Sequence, residues 1–356
     1  MTHRSLCWFV FLGAALPVAA LTAPQPVSAA GDSWSSPVAK PGGRIVIRVV
    51  MVEDDDENPA AAGKAAAEAL KRAMGGVPLK ALLLSECFED QPYKAKLLAG
   101  VCSVVPKEIV LGGSTYGSFT QQGCTDFDSV CLLGIGGEGI GVSAALVTEL
   151  GASKLSLDDQ LAEIQKRLHA GGEKLGNKVP KSNSDRLLIL IPDAHSPKNQ
   201  YIVEGVQRAL GKQFPITGGS VNKNAGQTFV YFQGKMYTDA AVGVMLSGKF
   251  KVALAGRKAK ENDAVIKTAK DGAAEAMKAM KAKPIAVLAY NCAGRRSKLK
   301  KMEDELVAIQ SAIGKEIPLF GCYNAGEIGP VDSAEKKPGV LCDGSGWHVM
   351  FTVIGR

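Results

Sequence analysis

Two short segments near the end of the 356-residue chain gather residue types that could hold or transform a small polar molecule. They are Asn291-Cys292-Ala293-Gly294-Arg295-Arg296 and Cys322-Tyr323-Asn324-Ala325-Gly326-Glu327-Ile328-Gly329. The guanidinium groups of Arg295 and Arg296 suit an anionic group and the Glu327 carboxylate a cationic one. Asn291, Asn324 and Tyr323 supply further hydrogen bonds, and Gly326 lets backbone approach closely. Asn291, Cys292, Arg295, Arg296, Tyr323, Asn324, Gly326 and Glu327 are therefore the candidate ligand contacts. A structural alternative pairs Arg295 with Glu327 as a clamp. A catalytic alternative makes Cys292 a nucleophile whose thiol is acidified by Arg295, with no histidine placed to serve as base. If Cys292 and Cys322 each close one of two parallel strands, their sulfurs could bond or line the site together; otherwise they are two small buried residues.

Other motifs carry less. Gly134-Ile135-Gly136-Gly137-Glu138-Gly139 spells a dinucleotide fingerprint, but apolar strands flank it on both sides and no acidic residue follows at the required distance, so a hairpin turn is expected. Asp193-Ala194-His195-Ser196 brings three triad residue types side by side, where they cannot align as nucleophile, base and orienting acid; a loop is expected. The acids from Glu53 to Glu57 lack the glycine and spaced ligands of a calcium loop, which leaves a solvated turn.

The elements that must position these residues recur three times. Ala81–Cys87, Leu188–Ala194 and Ala286–Cys292 are short apolar runs. Each is followed by a helical stretch and then by a second apolar run ending in glycine, at Gly112, Gly218 and Gly321, spaced about one hundred residues apart. An Ala-rich helix precedes each copy, at 60–74, 158–170 and 262–281, and apolar strands follow it. A strand, a crossover helix and a second strand predict parallel pairing with right-handed connections. The later strands (129–133, 228–233, 240–246 and 348–353) would add antiparallel edges. The predicted class is α/β, with repeated strand-helix-strand units forming mixed sheets covered by helices. Loops at the carboxyl ends of such strands are where open α/β sheets receive ligands, and both chemically equipped segments fall there.

A basic start at His3 and Arg4, an apolar run to Leu21 and small residues before Gly31 read as a secretory signal peptide cleaved after Ala30. The run holds about 16 apolar-rich residues, short of the roughly 20 of a membrane span. Residues 31–43 read as a flexible arm, and order begins at Arg44, with a strand to Val52. One of the eight cysteines, Cys7, lies in the leader; the odd number remaining leaves at least one thiol free or paired with another molecule, and no CxxC suggests a zinc ribbon or redox pair. Lysines lie among acidic residues at helical spacing, which is no nucleic-acid footprint. Neither a nucleic-acid partner nor a membrane span is expected.

At the third copy the sequence resembles a FIST sensory module. Cys292-Ala293-Gly294-Arg295 matches its Cys-x-Gly-Arg segment, and Gly321-Cys322-Tyr323-Asn324-Ala325-Gly326-Glu327-Ile328-Gly329-Pro330 its Gly-x-Tyr-x-x-Gly-Glu-Ile segment. Gly112-Gly113-Ser114-Thr115-Tyr116-Gly117 is similar to the Gly-x-Ser-Thr-x-Gly of the N-terminal part. The second copy departs, with Gly218-Gly219-Ser220-Val221 and no Gly-Glu after it. The resemblance covers about 60–354 and divides the chain into an N-like region at 44–256, holding two copies, and a C-like region at 257–356, holding the third. It implies a module that binds an amino acid or similar small polar metabolite and passes its state to a signalling partner protein; taken with the leader and the residues above, an exported, non-enzymatic protein acting outside the cytoplasm without a cofactor is expected. Some members are similar yet bind haem; here His195 or His348 would have to be the axial ligand, and neither lies in a matching motif.

Overall fold

The computed structural model describes residues 31–224 and 226–356. The expected leader and its cleavage point lie outside the described residues. A short strand β1 (Ser33–Ser35) comes first. The first unit then runs β2 (Val46–Glu53), α1 (Pro59–Ala73), β3 (Leu79–Glu86), α2 (Gln91–Cys102), β4 (Val110–Ser114), a hairpin of β5 (Ser118–Thr120) and β6 (Cys124–Thr125), and β7 (Ser129–Gly136). The second runs β8 (Ile140–Val147), α3 (Leu157–Lys178), β9 (Asp185–Pro192), α4 (Asn199–Leu210), β10 (Ile216–Gly219), a hairpin of β11 (Val230–Phe232) and β12 (Lys235–Tyr237), and β13 (Ala241–Gly248). The third runs β14 (Lys251–Lys258), α5 (Asn262–Ala279), β15 (Pro284–Cys292), a single turn α6 (Ala293–Arg296), α7 (Met302–Ile313), β16 (Leu319–Asn324), a hairpin of β17 (Glu327–Gly329) and β18 (Asp343–Ser345), and β19 (His348–Gly355).

Each unit builds one mixed sheet. In unit one the order is β4-β3-β7-β2, in unit two β10-β9-β13-β8, in unit three β16-β15-β19-β14. The expected pairs β3/β4, β9/β10 and β15/β16 are parallel. Their continuous apolar character follows from burial on both faces. Ala81 and Leu83 of β3, Ile189 and Ile191 of β9, and Leu288 and Tyr290 of β15 turn into one central core shared by the three sheets. Leu82 and Leu84, Leu188 and Leu190, and Val287 and Ala289 turn the other way into three separate outer cores. There the helix pairs α1/α2, α3/α4 and α5/α7 cover them. Asn58 starts α1 by accepting the Ala61 N–H, and Pro59 occupies the first turn, where no N–H is needed.

The three hairpins leave their own units. That of unit one (β5-β6) extends the sheet of unit three, that of unit two (β11-β12) extends unit one, and that of unit three (β17-β18) extends unit two. In every case one large side chain crosses into the neighbour's outer core directly opposite the repeated glycine. Phe119 faces Gly321, Tyr231 faces Gly112, and Ile328 faces Gly218. At Gly321 a Cβ would strike the Phe119 ring, and at Gly112 and Gly218 it would strike the carbonyls of Leu84 and Leu190, with φ of 146° and 153°. Only at Gly321 does the exchanged side chain itself demand the glycine; at Gly112 and Gly218 the demand comes from the unit's own parallel neighbour.

Three expectations are corrected. The arm at 31–43 is not free chain throughout: β1 pairs with β8, and Trp34, 2% exposed, joins the central core. The strands β7, β13 and β19, expected at edges, lie inside their sheets, each between two antiparallel neighbours. The Gly134–Gly139 turn is no hairpin, because β7 and β8 belong to different sheets; it carries the chain from unit one to unit two.

Because each sheet is completed by another unit's hairpin, the molecule should unfold in a single calorimetric transition. Phe119→Ala, a change in unit one that empties space in unit three, should cost about 3–5 kcal/mol and keep the transition single. Two resolved transitions, or a cost near zero, would show that the exchange does not join the units.

Candidate functional site

The parallel pair β15/β16 sets Asn291 opposite Tyr323 and Cys292 opposite Asn324, so the eight residues marked by the sequence do meet at one carboxyl edge. Their chemistry faces inward. Arg295 is fully buried; its Nε donates to Asn291 Oδ1 (2.9 Å), its Nη1 to Thr268 Oγ1 (3.1 Å), and its Nη2 to the Val265 carbonyl (3.0 Å) and to Glu305 Oε1 (3.0 Å). Four of its five N–H groups are therefore spent on protein. The other oxygen of Glu305 accepts from Asn291 Nδ2 and Tyr323 Oη, both at 2.9 Å. The arginine clamp exists, but its carboxylate is Glu305 of α7, not the Glu327 considered from sequence. Arg295 as placed has no fork to offer a ligand.

Glu327 is also sealed. Its Oε2 accepts the His348 backbone N–H at 2.9 Å, and its Oε1 is enclosed with no protein partner among the described residues. Burial raises its carboxyl to about 8. Burial beside that carboxyl pushes the Cys292 thiol up to about 12. A neutral acid next to a neutral thiol is the ground state at neutral pH, and a thiol held protonated is a poor nucleophile. Cys292 accepts from the Trp347 N–H at 3.2 Å, whereas Cys322 donates to Asn324 Oδ1 at 3.2 Å; all seven described cysteines are free thiols. Arg296 forms an ion pair with Asp126 from unit one. The Gly326 loop is held by unit two, with the Ser196 N–H on the Ala325 carbonyl and the Ala325 N–H on the Ser220 carbonyl. The third-unit loops thus fasten three units at one end.

Open space lies at the equivalent ends of the other two. In unit one a cavity of about 480 Å³ is rimmed by Glu53, Asp54, Asp55, Glu57, Asp126 and Asp128. The Asp128 carboxyl there is pushed up by burial and by Asp54. Beneath it the buried pair Lys94–Glu86 (2.9 Å) accepts Tyr231 Oη at 2.7 Å. In unit two a cavity of about 280 Å³ is lined by Asp193, His195, Lys198, Lys154, Lys223 and Thr228. Sequence reasoning took Asp193–Ser196 as a loop, which it is, and missed the lysines, which come from three separate loops. Near the centre only about 20 Å³ is accessible, beside Ser85, Thr115 and Tyr290, room for one water. Among the described residues no cluster fit to hold a metal ion occurs, and no helix is long and apolar enough to cross a membrane.

Removing Arg295 leaves Glu305 buried without its cation, so Arg295→Ala should cost about 3–5 kcal/mol, while Arg296→Ala, in a partly exposed pair, should cost about 1 kcal/mol or less. Chemical denaturation of both variants decides it; equal costs would remove the clamp. For Glu327 the raised carboxyl means that the folded state keeps a proton that the unfolded chain releases above its ordinary value of 4.5, so stability falls as pH rises from there to about 8. Glu327→Gln should gain melting temperature relative to the parent as pH rises through that window, and a pH-independent difference would contradict the assignment.

A family model of the FIST N domain matches residues 81–271, and one of the FIST C domain matches residues 250–330. No curated protein matches in sequence. Among solved structures, a cyanuric acid hydrolase is 10% identical at a TM-score of 0.41, covering 88% of this chain and 99% of that one. The cyanuric acid hydrolase from A. caulinodans is 10% identical at 0.43 with the same coverage. The thiamine monophosphate kinase from Aquifex aeolicus is 13% identical at 0.22, covering 59% and 88%. The chain, matched by the first family model over more than half its length, belongs to the FIST family, whose domains are sensory and bind small ligands.

Proposed function

We propose that this protein is an exported FIST module that binds a small polar metabolite of the amino-acid kind and presents the bound state to a partner protein, without transforming the ligand. The observation that carries the reading is the contrast between the three carboxyl ends. Two of them open as cavities of about 280 and 480 Å³ lined by charged side chains, a size and polarity suited to a small charged molecule. The third spends its Arg295 on internal partners, seals its Glu327 from solvent, and holds Cys292 with a raised thiol pKa. A covalent thiol reaction has no activated nucleophile there. The basic start, apolar run and small residues before Gly31 support export, which places the module in the periplasm or outside the cell.

Native mass spectrometry of the protein purified from its own compartment should show a mature chain beginning at Gly31 with a small molecule retained. A chain that begins at Met1 would remove export from the reading. Turnover of the retained molecule on incubation would make the protein an enzyme.

A further inference from the structure

The cavity of unit two has a charge pattern that narrows the ligand beyond a small polar metabolite. Lys154 and Lys223 stand exposed at its wall on two different loops, and neither makes a hydrogen bond or ion pair among the described residues. Lys198, at the start of α4, donates its Nζ to the carbonyls of Ala152 (2.9 Å), Ser153 (3.4 Å) and Leu155 (2.7 Å), so its three N–H groups are spent on fixing the loop that carries Lys154. On the opposing side Asp193, 4% exposed, is held rigidly. Its Oδ2 accepts from Thr228 Oγ1 (2.7 Å) and the Asp239 N–H (2.8 Å), and its Oδ1 has no protein donor among the described residues. His195 completes the wall; burial keeps its imidazole below its usual range and uncharged at neutral pH.

With Lys198 spent on the loop, the ammonium groups of Lys154 and Lys223 are left to meet anionic groups, and Asp193 Oδ1 is the acceptor preset for one donor. A volume of about 280 Å³ is many times the about 20 Å³ that admits a single water near the centre, and leaves room for a small polar molecule. Resting on the small-ligand reading above, we propose that this cavity binds a four- or five-carbon dicarboxylate that carries one ammonium group, with its carboxylates toward Lys154 and Lys223 and its ammonium on Asp193 Oδ1. Neither equivalent end can do this. In unit one Cys87 stands where Asp193 stands and carboxylates rim the space, and in unit three Cys292 takes that place beneath Trp347.

Calorimetric titration of the purified full chain with L-aspartate, L-glutamate, succinate, L-alanine and L-lysine tests it. L-Aspartate or L-glutamate should bind, and succinate and L-alanine should bind at least about tenfold more weakly, since each lacks one charge-assisted contact. Lys154→Ala and Lys223→Ala, at exposed positions that do not affect folding, should each weaken aspartate or glutamate at least about tenfold. Asp193→Asn should erase the preference over succinate, and circular dichroism verifies that this variant is folded. Tightest binding of L-alanine or L-lysine, or unchanged affinity in both lysine variants, would overturn this site while leaving the small-ligand reading standing. No binding by any of the five would also overturn it, and the retained mass in native spectrometry then judges the broader reading separately.

Discussion

One contact, made three times, holds the architecture together: a large side chain on a hairpin lent by one unit packs over a glycine in the sheet of another. At Gly321 the space of a Cβ is already occupied by the lent Phe119 ring, whereas at Gly112 and Gly218 it is occupied by a carbonyl of the unit's own parallel neighbour, Leu84 or Leu190. Without the lent hairpin, β4, β10 and β16 would end their sheets as open edges, the feature that invites pairing with other chains. The exchange runs in a ring, so no unit can complete its sheet from its own sequence, and each outer core contains side chains it does not own, Phe119, Tyr231 and Ile328 among them.

The ring also decides where charge can be buried. Below the carboxyl end of unit one, Glu86 is met by Lys94 and by the visiting Tyr231; below that of unit three, Glu305 is met by Arg295, Asn291 and Tyr323. The residues and their chain positions differ, and the arrangement is the same: one buried carboxylate, one cation and one tyrosine hydroxyl. A buried pair gains little net stability over apolar packing, but removing one partner is costly, so such clusters act as locks on local geometry. In unit two Pro192 stands where Glu86 and Asn291 stand, and the lock is absent.

The repeat made the parallel pairs legible, because an apolar run buried on both faces reads the same in every copy, and the glycines marked where backbones approach. What the hairpins do was not legible. Their strands are two or three residues long, and nothing local in Ser118–Thr120 or Val230–Phe232 says that the partner strand belongs to another unit. The interior position of β7 was hidden for a related reason: a strand that follows a hairpin looks like an edge until the hairpin is known to have left the sheet. Glu305 escaped notice because it sits on an amphipathic helix among Glu303 and Asp304, which are solvated, and only the helical phase separates it from them. The lysines of the unit-two cavity could have been found by aligning the loops of the three copies, since Lys154, Lys198 and Lys223 fall in the three connections that cluster at one carboxyl end.

The same segment that bounds the unit-two cavity also crosses into unit one. After β10 the chain passes Lys223, sends Asn224 Nδ2 to the carbonyls of Phe88 (2.9 Å) and Thr115 (3.1 Å), passes Thr228, and enters β11 on the neighbouring sheet. A ligand held by Lys223, and by Asp193 against Thr228, would therefore bear on a segment whose other end is already bonded inside unit one, and Tyr231, three residues on, reaches the buried Glu86–Lys94 pair. Packed interiors do not deform gradually, so a shift of this segment has to be taken up by the exchanged hairpin or refused by it. The cavity of unit two and the sheet of unit one share one continuous segment, and the exchange that completes each sheet is what joins them.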